Sequence, residues 1–274
     1  MIHSSAPTIS SYLRRLLPLC AIGSLFALWW VGSRTTRFVP AIADVFAAMP
    51  EFLTDPETYL DIRVTVQRVA GALAASMICG FLAAYLIARS GFAGRVASVY
   101  VGFALGIPST IAALLALYVF RRSEIGVYVT VVVVTFPFAT TVLLEGLKAL
   151  DNRLVEMSRT YRLSGLGNMR HVVVPHLIPY IMAALRNENG HAWKVVVLAE
   201  LFAVNTGMGF RFSQAFDRFQ VVDVMLWLIT FVVILLTIEY LVLRPLEIAS
   251  LRWREGRNPA RERRMWQTAR HGGI

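Results

Sequence analysis

Five long apolar stretches alternate with short polar ones along the chain, roughly Leu16–Gly32, Val64–Ala88, Val96–Phe120, Ile125–Leu147 and Val221–Leu243. Each is close to or beyond the ~20 mostly apolar residues that a helix needs to cross a bilayer. A sixth, Leu177–Val204, is long enough but carries Arg186, Asn187, Glu188, Asn189, His191, Lys194 and Glu200 in its middle and far half. The pattern predicts an all-α, polytopic membrane protein of about six transmembrane helices. Between the fourth and fifth spans the pattern changes. In "EMSRTYRLSGLGNMRHVVVPHLIP", from Glu156 to Pro179, polar residues interrupt the apolar background. Leu150, Leu154, Met157 and Tyr161 recur at helical spacing, which predicts an amphipathic helix of about three turns. Gly165 and Gly167 then signal a turn. A second short helix is expected over Met169–Val174, stopping near Pro175, whose ring disfavours helix continuation.

Composition agrees with a membrane protein. Of 274 residues, 57% are hydrophobic and 16% charged, more apolar and less charged than a soluble domain. The net charge of +10 would fit nucleic acid, were the charges not sorted by topology. If the termini are cytoplasmic, inner segments hold seventeen Lys or Arg, outer segments and their edges eight, and the fifth span two. Positive loops resist translocation, so the excess sets the orientation and accounts for the basic pI. This gives a cytoplasmic N-terminus over 1–15, a single transmembrane domain over 16–244 and a basic cytoplasmic tail over 245–274. Arg14 and Arg15 before an apolar run imitate a signal peptide, but no small-x-small site follows "LFALWWVGS", and an uncleaved first helix is the better reading. Cys20 and Cys79 lack metal-ligand spacing and read as small buried residues.

Chemistry-bearing motifs are few. The chain contains no G-x-x-x-x-G-K-[ST] loop, G-x-S-x-G elbow or H-E-x-x-H pair, so ATP phosphates have no P-loop to bind here. Glu188-Asn189-Gly190-His191 is an E-x-x-H, which serves a metal only when further carboxylates converge. The polar residues of the fifth span cannot all face lipid, since each ionised group at depth costs at least a few kcal/mol. His191 and Lys194 share a helical face. With Glu200 they are candidates for a translocation path, where Lys194 would favour an anion; helix-to-helix packing groups are the alternative.

The loop resembles that of ATP-binding-cassette importer permeases, whose signature is EAA, a glycine and Ile-x-Leu-Pro at fixed spacing. Glu156-Met157-Ser158 stands at the EAA positions and Val172-Val173-Val174-Pro175 at Ile-x-Leu-Pro. The likeness extends along nearly the whole chain and is nearest to the nitrate, taurine and aliphatic-sulfonate permeases, through "LVEMSRTYRLSG" and "AWKVVVLAELFAVNTGMGF". It implies that the loop, about 148–176, is a coupling helix that docks on a cytoplasmic ATPase dimer, with Leu154, Glu156, Met157, Ser158, Tyr161, Arg162, Gly165, Gly167 and Pro175 as its residues. It further implies a second permease copy or paralogue, an external solute-binding protein, a bacterial inner-membrane location and a small, anionic solute. ATP and Mg would sit on the partner ATPase, with no cofactor and no active site on this chain. An amphipathic loop lying on lipid is the alternative for this segment. For the whole chain the alternatives are an intramembrane metal-dependent enzyme using Glu188 and His191, or a carrier that needs no ATPase.

Two departures stand out. The family glycine after Tyr161 is Arg162 here, which either keeps an ordinary φ while Gly165 and Gly167 turn the chain, or adds charge to the docking surface. Near Pro108 the family's second proline and Phe-Gly are missing, and Ile111–Leu117 and "VFRRSE" stand there instead.

Overall fold

A computed structural model describes residues 9–36, 38–89, 91–120 and 123–255. Among them the regular elements are all helices: α1 Ile9–Thr35, α2 Ile42–Thr54, α3 Pro56–Ala88, α4 Phe92–Gly106, α5 Ser109–Val119, α6 Glu124–Lys148, α7 Asn152–Thr160, α8 Gly165–Asn168, α9 Val174–Ala203, α10 Met208–Asp217, α11 Val221–Thr237 and α12 Arg244–Glu255. Pro56–Ala88, Glu124–Lys148 and Val221–Leu251 are long and apolar enough to cross a membrane, and two bent pairs, α4 with α5 and the α9 helix with α10, pass if each counts as one span. α1, with 27 residues, is about 40 Å long at 1.5 Å per residue.

The core forms where α3, α6 and α9 pack together. On α3, Ala72, Ser76, Gly80 and Ala84 are buried at a strict spacing of four, a stripe of small residues that lets backbones approach closely. A Cβ on Gly80 would stand 2.8 Å from that of Ala139 on α6. Thr135 Oγ1 and Ser76 Oγ are 2.8 Å apart across the same contact. Val69, Leu73, Val131, Val134, Trp193 and Val196 fill the space beside it, and Phe231 of α11 meets Trp193 edge-on with ring centroids 5.7 Å apart. Large apolar residues outside this core are exposed, among them Ile78, Leu82, Val99, Phe103, Leu115 and Val233. Cys20 and Cys79 belong to this outer set, not to the core as expected, because Cys79 lies off the four-residue stripe that carries the burial.

Two expectations need correction. Val96–Phe120 is not one straight helix. α4 and α5 meet at 107°, because Pro108 drives Ile107 out of the helical region, to φ −86° and ψ 130°. Nor does the helix after the polar loop stop near Pro175. Gly165–Ala203 is continuous, and a π-helical turn over Met169–Val173 leads into Pro175 in the first turn of α9. The wider turn accommodates a residue that has no N–H to donate. The anticipated boundaries at 15/16 and 244/245 fall inside α1 and inside the helix Val221–Leu251, and residues 256–274 of the basic tail lie outside the described residues.

Candidate functional site

The polar loop forms one end of the bundle. Asp151 begins α7 by accepting the Arg153 N–H at 2.9 Å, and the helix ends with the Leu163 N–H donating to the Ser158 carbonyl at 3.0 Å. That six-to-one bond closes a Schellman-type cap, which places the residue before Leu163 in the left-handed region. Arg162 occupies that position with φ 51°. It therefore takes the glycine conformation itself, and the alternative of an ordinary φ is overturned. Gly165 and Gly167 do not turn the chain; they lie within α8, where the Ser164 side chain accepts the Gly167 N–H at 3.1 Å. A non-glycine residue at such a φ costs about 1 kcal/mol. Arg162→Gly is accordingly expected to raise the thermal unfolding midpoint in detergent by a few degrees, whereas an unchanged or lower midpoint would mean that the arginine makes offsetting contacts.

Around this turn the loop exposes apolar surface: Met157 is 55% accessible, Tyr161 74% and Leu166 80%. Glu156 is exposed beside them, and Ser158 is buried beneath. The Leu154 side chain lies outside the described residues. α8 joins the π turn and α9 as one helix, so the tip is continuous with a helix that runs to the far end of the bundle.

At that far end lies a buried ionic cluster. Asp61, Thr65 and Arg68 are spaced one helical turn apart on α3 and are all buried. All five N–H donors of Arg68 are engaged. Nη1 donates to Glu200 Oε1 and to the Thr206 carbonyl, each at 2.8 Å. Nη2 donates to Thr206 Oγ1 at 2.8 Å and to Glu124, and Nε donates to Glu124 Oε2 at 3.0 Å. Glu200, wholly buried, also accepts from the Thr65 hydroxyl and the Gly209 N–H, each at 2.9 Å. The Gly207 N–H donates to Asp61 at 2.7 Å and the Met208 N–H to Thr65 at 2.8 Å. Three successive amides at the start of α10 are thus satisfied by α3 and α9 side chains, where a helix would otherwise leave them open. Gly207 is required here: its φ is 103°, and a Cβ would come within 2.5 Å of Glu200 and 2.7 Å of Arg68. Arg211 of α10 closes the group through Asp61 at 2.6 Å and Glu57 at 2.7 Å.

The fifth-span candidates separate. His191 and Lys194 are exposed on one face of α9, whereas Glu200 is buried in the ionic cluster. His191 stacks on Phe138 with centroids 5.2 Å apart. Glu188, three residues before His191, is 1% accessible, so the E-x-x-H pair is split between the interior and the exposed face. Among the described residues no group of three or more His, Cys, Asp or Glu could hold a metal. Arg186 is paired with Glu239 at 2.5 Å and Glu247 at 3.1 Å, fastening α9 to the helix Val221–Leu251. Arg68, Asp61, Glu124 and Gly207 were not among the sequence candidates. A lone arginine inside an otherwise apolar span, with Thr one turn and Asp two turns earlier, was the available signal.

These features describe an all-helical membrane protein whose spans carry a helical projection at one end and an ionic lock at the other. Residues 76–246 match the binding-protein-dependent transport system inner membrane component family, and the chain belongs to that family. It is similar to a putative aliphatic sulfonates transport permease of Escherichia coli, 34% identical over 116 residues, a match that spans 42% of each chain. It is also similar to the taurine transport system permease of the same organism, 24% identical over 258 residues, 86% of this chain and 89% of that one. A solved structure titled as an amino acid ABC transporter with histidines shares the fold, with a TM-score of 0.58 and 20% identity over 74% of this chain and 97% of its own.

Proposed function

We propose that this chain is the permease subunit of an ATP-driven importer, and that the α7–α8 tip docks on a cytoplasmic ATP-binding-cassette ATPase. The observation that carries this reading is the tip itself. Met157 and Tyr161 are exposed at the end of α7 and Leu166 just past the capped turn, at the start of a helix continuous from Gly165 to Ala203. An exposed apolar cluster with a charged rim suits a small, energetically concentrated interface, and a continuous helix can carry its movement through the membrane. No P-loop occurs in the sequence, so the hydrolysis, with its ATP and Mg, is assigned to the partner. In this reading the permease works with a second copy or a paralogue, both termini face the cytoplasm, and an external binding protein delivers cargo at the end bearing the ionic lock.

The cargo is a small anion of the sulfonate, taurine or nitrate kind. The relatives' names support that class, and so does Lys194, a cation without a carboxylate partner among the described residues, on an exposed face of a membrane helix. His191 and Lys194 line the route, while Glu200 holds the lock. Cysteines replacing His191 and Lys194 are expected to react with small water-soluble thiol reagents at rates that change when the partner ATPase is trapped with nucleotide. Complete protection in every state would remove both residues from the route.

A further inference from the structure

Glu188 is the fifteenth of the thirty residues of α9, so it lies midway along a membrane helix. It is 1% accessible, and its Oε2 has no hydrogen-bond partner. Among the described residues a counter-charge is missing too. α3 carries no charged side chain between Arg68 and Arg89, its titratable groups there being Cys79, which is exposed, and Tyr85. α6 carries none between Glu124 and Glu145, where only Tyr128 titrates, and α5 offers only Tyr118. Arg68 is fully engaged at the far end, and Arg211 is held by Asp61 and Glu57. Asp217 and Arg218 close α10 at that same end, and Arg186 is committed to Glu239 and Glu247. Tyr240 and Arg244 lie in the stretch between those two glutamates. On α9 itself His191 is exposed. An ionised carboxylate buried at this depth with no partner costs far more than taking up a proton. The interior ends abruptly beside it: Glu188 and Asn189 are buried, a Cβ on Gly190 would meet open space, and His191 is exposed. At 3.6 residues per turn, Glu188 and His191 differ by about 60° around the axis, so a modest rotation of α9 exchanges their environments.

We propose that Glu188 is a proton-binding site: the carboxyl stays protonated while buried in this conformation and gives its proton to water when α9 turns it toward the face of His191 and Lys194. The exposure step rests on the reading of that face as the transport route. The proton itself does not. Release places a negative charge near Lys194, the cation that would attract an anion, so the protonation state of Glu188 sets whether that charge is offset, and import falls as pH rises.

The test uses the complete permease–ATPase complex in lipid nanodiscs. Infrared difference spectra between the wild type and Glu188→Gln at neutral pH, without nucleotide, are expected to show the carbonyl stretch of a protonated acid that the variant lacks. That band should be lost at alkaline pH in the nucleotide-trapped state and persist in the nucleotide-free one. Carboxylate stretches in place of that carbonyl band would show an ionised Glu188 and overturn the site, while identical titration in both states would overturn the exposure step. Should the variant not accumulate, labelling of wild-type Glu188 by a hydrophobic carbodiimide, read by mass spectrometry, decides the same point: reaction supports a neutral acid, and none overturns it. Both readouts are independent of transport, so failure here differs from failure of the importer reading.

Discussion

Replacing Arg68 with methionine is expected to cost this protein most of its stability margin. The guanidinium is the cation of Glu200, a carboxylate with no solvent access, and it also fixes the Thr206 backbone and Glu124. Removing one partner of a buried pair leaves an uncompensated charge and costs about 3–5 kcal/mol. Such a loss would lower the thermal midpoint by roughly 10 °C for a domain of this size. Glu124 contributes little to the penalty, being 59% accessible and able to turn to water. Glu200→Gln alone is expected to cost less, since an amide can still meet Thr65 and Arg68. The double variant Arg68→Met, Glu200→Gln is expected to recover much of the loss, because it removes both charges. Thermal unfolding of the four proteins in one detergent measures the coupling. Additive losses would show that the lock is not a unit.

That lock also marks the limit of what the sequence disclosed. The helices were legible because their apolar runs exceed a bilayer's requirement, and the polar loop because Met157 and Tyr161 recur at helical spacing among charges. The 107° break at Ile107–Pro108 was signalled by the proline itself, yet hydropathy averages across it. The ionic cluster was not legible as a cluster. Arg68 and Arg211 read as edge charges, and pairing them with Glu200 and Asp61 needs the crossing of α3, α9 and α10, which no local pattern states. Gly207 likewise looks like any turn glycine until its neighbours are known to leave no room for a Cβ. The candidate face of α9 was half legible. Helical spacing grouped His191 with Lys194 correctly, but Glu200, nine residues on from His191, lies about a half-turn away on the buried side.

The second large effect is expected at the other end. Glu156→Lys reverses a charge on the exposed rim of the tip, and a flexible linker in place of Ser164–Asn168 removes the Ser164 cap and breaks the continuity of α8 with α9. Neither change touches the α3–α6–α9 core, so both variants should reach the membrane in normal amounts. Docking depends on a few anchors that each contribute about 2 kcal/mol, and losing the geometry of Tyr161 and Leu166 together should reduce ATPase retention at least about tenfold. Tyr161→Ala, which leaves the backbone intact, should give an intermediate loss. Co-purification of the ATPase with each variant, at matched permease levels, measures this order.

The central claim, that this loop passes work between a soluble ATPase and the membrane bundle, is tested most directly by ATP turnover of the reconstituted complex with and without the loaded binding protein. The wild type is expected to hydrolyse faster when the binding protein is present. Glu156→Lys and the linker variant should show no such stimulation while remaining in the bilayer. Equal stimulation in all three proteins would mean that α7 and α8 are not the coupling element, and the account of this chain as an ATP-driven permease would lose its main support.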